Sequence, residues 1–264
     1  MFTDINNALN INTDFLRNPC LIGIGENGAD CSFLIHHFIS LYLKNGVTVV
    51  LISFKQALNH FNGVGAKIGC NLLKFKEQNR FGYVDGLRNL SQCVNNGIGN
   101  AAYSWTNCVN DVGHIDSMAL MKEIIFHMSS ITEKMQEPGA MTLIIDNITP
   151  LLDVGMTPTE VTKLIQYLKA HIENDIRGNF VVGCYSDKID EEGSTLSKYI
   201  HHSADLFLEV KGLETGYCKD VHGQLLAHWP QGYLREKAVT KSWQYKLTDK
   251  TCALFAAGMS SAVL

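Results

Sequence analysis

Apolar runs of strand length alternate with helical patterns from residue 19 to residue 213, and nothing else in the chain constrains its fold as strongly. The runs are "PCLIGI" (19–24), "VTVVLISF" (47–54), "RFGYVDG" (80–86), "MTLIID" (141–146), "NFVVGCYS" (179–186) and "ADLFLEVKGL" (204–213). Helical segments fall near 30–44, 55–69, 116–135, 158–174 and 194–202. Short runs apolar on both faces, each leading into a helix, predict an α/β fold with a mainly parallel sheet flanked by helices. The first of these helices is apolar on nearly all sides and is stopped by Asn45-Gly46. The helix at 158–174 opens on Thr157-Pro158-Thr159-Glu160, a capping box with proline in the first turn, and sets Val161, Leu164, Ile165, Leu168 and Ile172 on one face. Along 116–135, Met118, Met121, Ile125, Met128 and Met135 form a stripe expected to fill core. Residues 87–114, rich in Asn and Gly and without periodicity, read as a long surface excursion. Beyond residue 213, "GYCKDVHGQLLAHWP", "SWQYKLT" and "TCALFAAG" have no helices between them and read as antiparallel strands at the end of the sheet. No repeat or linker divides the chain, so residues 1–264 are expected to form one domain.

The chain is 46% hydrophobic and 18% charged, which suits a folded core rather than a disordered segment. Its formal charge of −4 and pI near 6.2 do not advertise unaided nucleic-acid binding, and net charge alone does not exclude a basic loop on an acidic body. The N-terminal segment lacks a basic-then-apolar signal pattern, and no apolar run has membrane-spanning length. The 8 cysteines form no C-x-x-C pair, so reduced thiols in the cytosol or nucleus are expected.

The stretch "LIGIGENGADCSF" between the first strand and its helix matches two phosphate-binding patterns. Gly23, Gly25 and Gly28 spell G-x-G-x-x-G, while Gly23 and Gly28 are also the two glycines of G-x-x-x-x-G-K-[ST]. In the second frame Ala29 replaces the lysine and Asp30 the hydroxyl residue, and no Lys or Arg lies between Arg17 and Lys44. Glu26 and Asp30 place carboxylates where a phosphate would sit, and like charges about 4 Å apart repel by roughly 4 kcal/mol at an effective dielectric near 20. Asp30 can also cap the amides a phosphate would use. The P-loop is therefore read as degenerate. Asp146 ends "MTLIID" as a Walker B aspartate would, though a structural acid at a strand end is the more ordinary reading. In the dinucleotide frame no Asp or Glu occurs between Asp30 and Glu77, so the ribose-binding acid is missing, and Lys55 is left as a candidate for an NADP phosphate. An NADP-dependent oxidoreductase using Gly23–Gly28 thus stands as the alternative, and an ATPase with a lysine from elsewhere as a weaker one.

Other constellations carry little chemistry. Cys218, Asp220 and His222 alternate, but four residues of strand hold Cys218 and His222 about 13 Å apart, too far for a nucleophile and its base. The adjacent pairs His36-His37 and His201-His202 diverge on a helix, and no His pair has i,i+4 spacing, so no metal site is expected.

"SFLIHHFISLYLK" (32–44), "GLETGYCKDVHGQL" (212–225) and "YKLTDKTCALFAAGMSSAVL" (245–264) carry a resemblance that covers essentially the whole chain. The sequence resembles the Elongator complex protein 6 family. That resemblance implies a RecA-like domain without working Walker motifs, no catalytic residue and no cofactor. It also implies assembly with Elongator proteins 4 and 5, two copies of each, in a hetero-hexameric ring. Such a ring binds tRNA and supports modification of the wobble uridine at its 5-position, in the cytoplasm and nucleus. Residues 87–114 are the segment expected to face a neighbouring subunit or RNA.

Overall fold

The computed structural model describes residues 2–94, 105–110, 113–133, 140–186, 190–213, 216, 218–230 and 237–256. Two short helices, α1 (Thr3–Leu9) and α2 (Thr13–Arg17), precede the alternating region. There follow β1 (Cys20–Asn27), α3 (Ser32–Lys44), β2 (Thr48–Ser53), α4 (Leu58–Lys67), α5 (Leu72–Glu77), β3 (Phe81–Asp85) and α6 (Gly86–Val94). The middle of the chain supplies α7 (Ser117–Thr132), β4 (Met141–Ile145), α8 (Pro150–Asp153), α9 (Pro158–His171), β5 (Asn179–Tyr185), α10 (Glu191–Ser203) and β6 (Leu206–Lys211). Strands β7 (Gly223–Trp229), β8 (Val239–Leu247) and β9 (Cys252–Phe255) close the described chain. All the strands belong to one 9-stranded sheet in the order β3-β2-β4-β5-β1-β6-β7-β8-β9. From β3 to β6 every pairing is parallel, and β7, β8 and β9 extend the sheet antiparallel.

Successive strand residues point to opposite faces, so the apolar runs feed two cores. Ile22, Ile24, Val49, Leu51, Ile144 and Val181 pack with α1, α3, α4 and α5. Leu21, Val50, Ile52, Leu143, Ile145 and Val182 pack with α6 to α10. Helix α3 is apolar all round because it is covered all round: every residue from Phe33 to Leu43 is buried. Phe33 meets Tyr245 of β8 at 5.0 Å, His36 meets Phe61 of α4 at 5.1 Å, and the His37 Nδ1 accepts from the Phe2 amide. Burial drives the His37 pKa down to about 3 and the His36 pKa to about 4, so both rings are neutral packing groups.

Three expectations need correction. The segment 87–114 is not a surface excursion where it is described: 86–94 is helix α6, and Trp105, only 1% exposed, packs against Phe54 at 5.8 Å. Residues 95–104 and 111–112 of that segment lie outside the described residues. The methionine stripe of α7 faces the core only in part: Met128 is buried and Met121 and Ile125 pack half-buried against the core, but Met118 is 40% exposed and the most buried line is Leu120, Ile124 and Met128; Met135 lies outside the described residues. Strand β7 begins at Gly223, so Cys218, Asp220 and His222 belong to the loop before it. There the Lys246 ammonium holds Asp220 at 2.7 Å and the Leu247 amide donates to His222 Nδ1 at 3.1 Å, which fastens the loop to β8. On α9 the capping box forms as its sequence predicts, and Val161, Leu164, Ile165, Leu168 and Ile172 are buried.

Candidate functional site

Neighbouring strands β1 and β5 are followed by helices on opposite faces, α3 on one and α10 on the other. A crevice opens at such a switch point, outside the carboxyl ends of the strands. Here it is a hollow of about 660 Å³ lined by Glu26, Gly28, Ala29, Asp30, Thr149, Asp153, Tyr185, Asp190 and Gly193. Glu26 and Tyr185 are direct partners across the β1–β5 ladder at its rim.

The glycines do not build the phosphate loop their spacing suggests. Gly23 and Gly25 sit inside β1, which stays in register with β5 through Glu26 and with β6 through Asn27. Their missing side chains make room for the opposite layer: a Cβ on Gly23 would lie 2.7 Å from Ile200 and Phe207, and one on Gly25 2.8 Å from Phe207. Only Gly28 turns the chain, at φ +70. The connection that remains, Gly28 to Cys31, is too short to wrap a phosphate, and α3 starts at Ser32 rather than at Ala29 or Asp30.

The amides at the start of α3 are already answered by the chain's own carboxylates. Glu26 Oε2 accepts from the Cys31 amide at 3.3 Å, and Asp30 Oδ1 accepts from the Ser32 amide at 3.2 Å and its hydroxyl at 2.6 Å. Lys55, just past β2, reaches across to Glu26 at 2.8 Å and Asp30 at 3.2 Å, with its ammonium 5.5 Å from the Tyr185 ring. Burial raises the Asp30 carboxyl, but the Ser32 hydroxyl and the Lys55 ammonium outweigh it and hold its pKa below the usual range. Burial likewise disfavours the Lys55 cation, yet the hydrogen bond and charge of Glu26, with Asp30 behind, raise its pKa above the ordinary lysine value. Lys55 is thus committed to two carboxylates and is not a free partner for an NADP phosphate, so the oxidoreductase alternative loses its one cation. With Asp153 and Asp190 on the same wall, the hollow presents carboxylates to any incoming phosphate.

Asp146 lies one residue beyond β4, 3% exposed. Oδ1 accepts from the amides of Phe54 at 2.8 Å and Asn147 at 2.7 Å, and Oδ2 from the Ser53 hydroxyl and the Lys55 amide at 3.2 Å. Burial pushes its carboxyl up while these hydrogen bonds pull it down, and the net shift is upward. The side chain stitches the end of β2 to the end of β4, with its acceptor positions occupied. Sequence reading missed the partners that make this arrangement: Ser53 for Asp146, and the pairing of Glu26 with Lys55. Their signal was faint, a lone lysine at a strand tip in a stretch without any acid. Among the described residues no cluster of three or more His, Cys, Asp or Glu is placed to hold a metal ion, and no helix is long and apolar enough to cross a membrane.

A sequence model of the family described as "Elongation complex protein 6" matches residues 2–249. Curated relatives called Elongator complex protein 6 align over the full length of both chains. The Danio rerio protein is 30% identical over 272 residues, and the Homo sapiens and Xenopus laevis proteins are 31% identical over 269. Among solved structures, a KaiC-like protein of Pyrococcus horikoshii superimposes with a TM-score of 0.57 at 10% identity, over 89% of both chains. An uncharacterised Pyrococcus horikoshii protein, solved with an unknown peptide, gives 0.61 at 13% identity over 96% of this chain and 97% of that one. The fold is RecA-like.

Proposed function

The chain belongs to the Elongator complex protein 6 family, and from that premise we propose that it is a non-catalytic, structural subunit of the Elongator complex. The observation that carries the reading is the occupied α3 terminus. Glu26 and Asp30 stand where phosphate oxygens would stand, and Lys55 balances them from within the chain. A helix N-terminus answered in this way has neither the free amides nor the local positive charge that anion binding needs. The crevice is kept as shape without its ligand chemistry.

In the finer reading, the subunit assembles with Elongator proteins 4 and 5 in a hetero-hexameric RecA-like ring. The ring binds tRNA and supports wobble-uridine modification at the 5-position, in the cytoplasm and nucleus. This chain adds a fixed wall at a subunit boundary. Purification of the tagged full chain from its own cells tests the reading. The expected result is stoichiometric recovery of two further RecA-like subunits, with tRNA bound by the assembly. Saturable ATP or NADPH binding by this chain alone, or ATP turnover by it, would overturn the non-catalytic assignment.

A further inference from the structure

Strands β7 and β8 carry the sheet beyond α10, and among the described residues no helix covers one face of this extension. Leu225, Ala227, Trp229 and Tyr245 point to the other face and are buried in the α1–α3 core. On the uncovered side, α10 and the sheet line an open hollow of about 380 Å³. Ser194, Ser197, Lys198 and His201 line it from α10 at i, i+3, i+4 and i+7, one stripe of the helix. His228 of β7 and Thr240 of β8 line it from the sheet, over a floor of Phe207.

We propose that this pocket binds the dianionic oxyanion of a small ligand, a phosphate or sulfate group, between Lys198 and His201 of α10 and His228 of β7. Seven of the side chains that line it can donate hydrogen bonds: Ser186, Ser194, Ser197, Lys198, His201, His228 and Thr240. Lys198 has no carboxylate partner among the described residues. The Ser186 hydroxyl, also on the wall, is buried without a hydrogen-bond partner among those residues. Among the described residues His228 uses only Nδ1, on the Thr240 hydroxyl at 2.9 Å, which leaves Nε2 without a partner among them. The one carboxylate of the lining, Glu209, is already held by Lys211 at 3.1 Å and by the Asn27 amide group at 2.9 Å. The His201 and His228 rings are 4.7 Å apart, a spacing at which two imidazolium charges repel unless an anion joins them.

The charges facing His201 are Lys198 and His202 on its own helix, Glu209 with Lys211 on β6, and His228 on β7. Burial, then His228 and His202, hold the His201 pKa below its ordinary value. A bound dianion favours the imidazolium, so binding takes up a proton and tightens as pH falls.

Equilibrium dialysis of the full chain against radiolabelled sulfate, at fixed ionic strength in chloride, tests this directly. Sulfate is a dianion throughout the range and adds no titration of its own. The expected result is saturable binding that strengthens roughly tenfold between about pH 8 and about pH 6. Lys198→Ala weakens it at every pH, and His201→Gln flattens the pH response, with unchanged circular dichroism. Phosphoserine and ribose 5-phosphate compete with the bound sulfate, and the stronger competitor separates a phosphorylated side chain from a free sugar phosphate as the source. The proposal fails if uptake is unsaturable, if neither phosphate ester competes, or if folded Lys198→Ala binds as the unaltered chain does.

Discussion

Replacing Asp146 by Asn separates a structural carboxylate from a magnesium ligand. The carboxylate accepts four hydrogen bonds, from Ser53, Phe54, Lys55 and Asn147, at a position 3% exposed. An asparagine amide has one oxygen, and whichever way it turns its NH2 meets donors. With the oxygen kept toward Phe54 and Asn147, Ser53 can rotate to accept, because the Gln56 carbonyl takes its proton at 2.8 Å. The Lys55 amide is then left without an acceptor, which costs roughly 1–3 kcal/mol, and the two retained bonds lose their charge assistance, about 1 kcal/mol each. Relief from burying a charge offsets part of this, so Asp146→Asn should destabilise by about 2–3 kcal/mol. Asp146→Ala, which abandons all four donors, should cost about 4 kcal/mol, a large share of a domain's stability. Urea unfolding followed by tryptophan fluorescence suits the measurement, since Trp105 packs on Phe54, one of the residues tied. A loss below about 0.5 kcal/mol for Asp146→Asn would refute the stitch. So would stabilisation of the unaltered chain by magnesium-ATP that the variant lacks.

The remaining predictions test the neighbouring residues. Lys55→Met leaves the largely buried Glu26 carboxylate without its cation, beside an exposed Asp30, and should cost about 1–2 kcal/mol; adding Glu26→Gln should restore a good part of it in a double-mutant cycle, and additive losses would dismiss the pairing. Gly23→Ala drives a methyl group against Ile200 and Phe207 and should lower urea stability by about 1–3 kcal/mol, and a loss below about 0.5 kcal/mol would contradict the packing role. Glu160 has its pKa lowered to about 2 by the Thr157 amide above all, with His114 and the Thr157 hydroxyl adding to it. Its folded value is below the unfolded one, so its stabilisation is complete above about pH 4.5 and fades as pH falls toward about 2. The stability gap between the native chain and Glu160→Gln, about 1 kcal/mol at neutral pH for a lost cap, should therefore close over that window, and a gap that persists at pH 2 would contradict it.

The sheet was legible because its strands are apolar on both faces and some of the helices between them carry their own punctuation, as in the capping box at Thr157 and Glu160. What stayed hidden depended on contacts between distant segments. Trp105 looked like loop because it sits in a segment rich in Asn and Gly, yet Phe54, some fifty positions earlier, gives it a place in the core. The methionine stripe on α7 lies at the edge of the buried face rather than at its centre, because Leu120, Ile124 and Met128 also recur at helical spacing and only the sheet decides which line faces inward most directly. Helix α1 made no signal at all, although Ile5 and Leu9 are buried in the core.

The glycine stretch shows why a spacing pattern and the chemistry it suggests can separate. Glycine is used for a positive φ, for close approach of a ligand, or for close approach of another layer of the same protein, and the letter alone does not say which. At Gly28 it is the first use, and at Gly23 and Gly25 the last, with Phe207 as the approaching group. The charged residues are more discriminating, because a carboxylate and a phosphate cannot both occupy the same helix terminus. Glu26 and Asp30 therefore weigh more than three glycines do. Their demand for a cation also explains Lys55, placed across the crevice at the tip of the next strand. With the countercharge built into the chain, Lys55 ties the tip of the second strand to the start of α3, so the crevice keeps its shape without a bound anion.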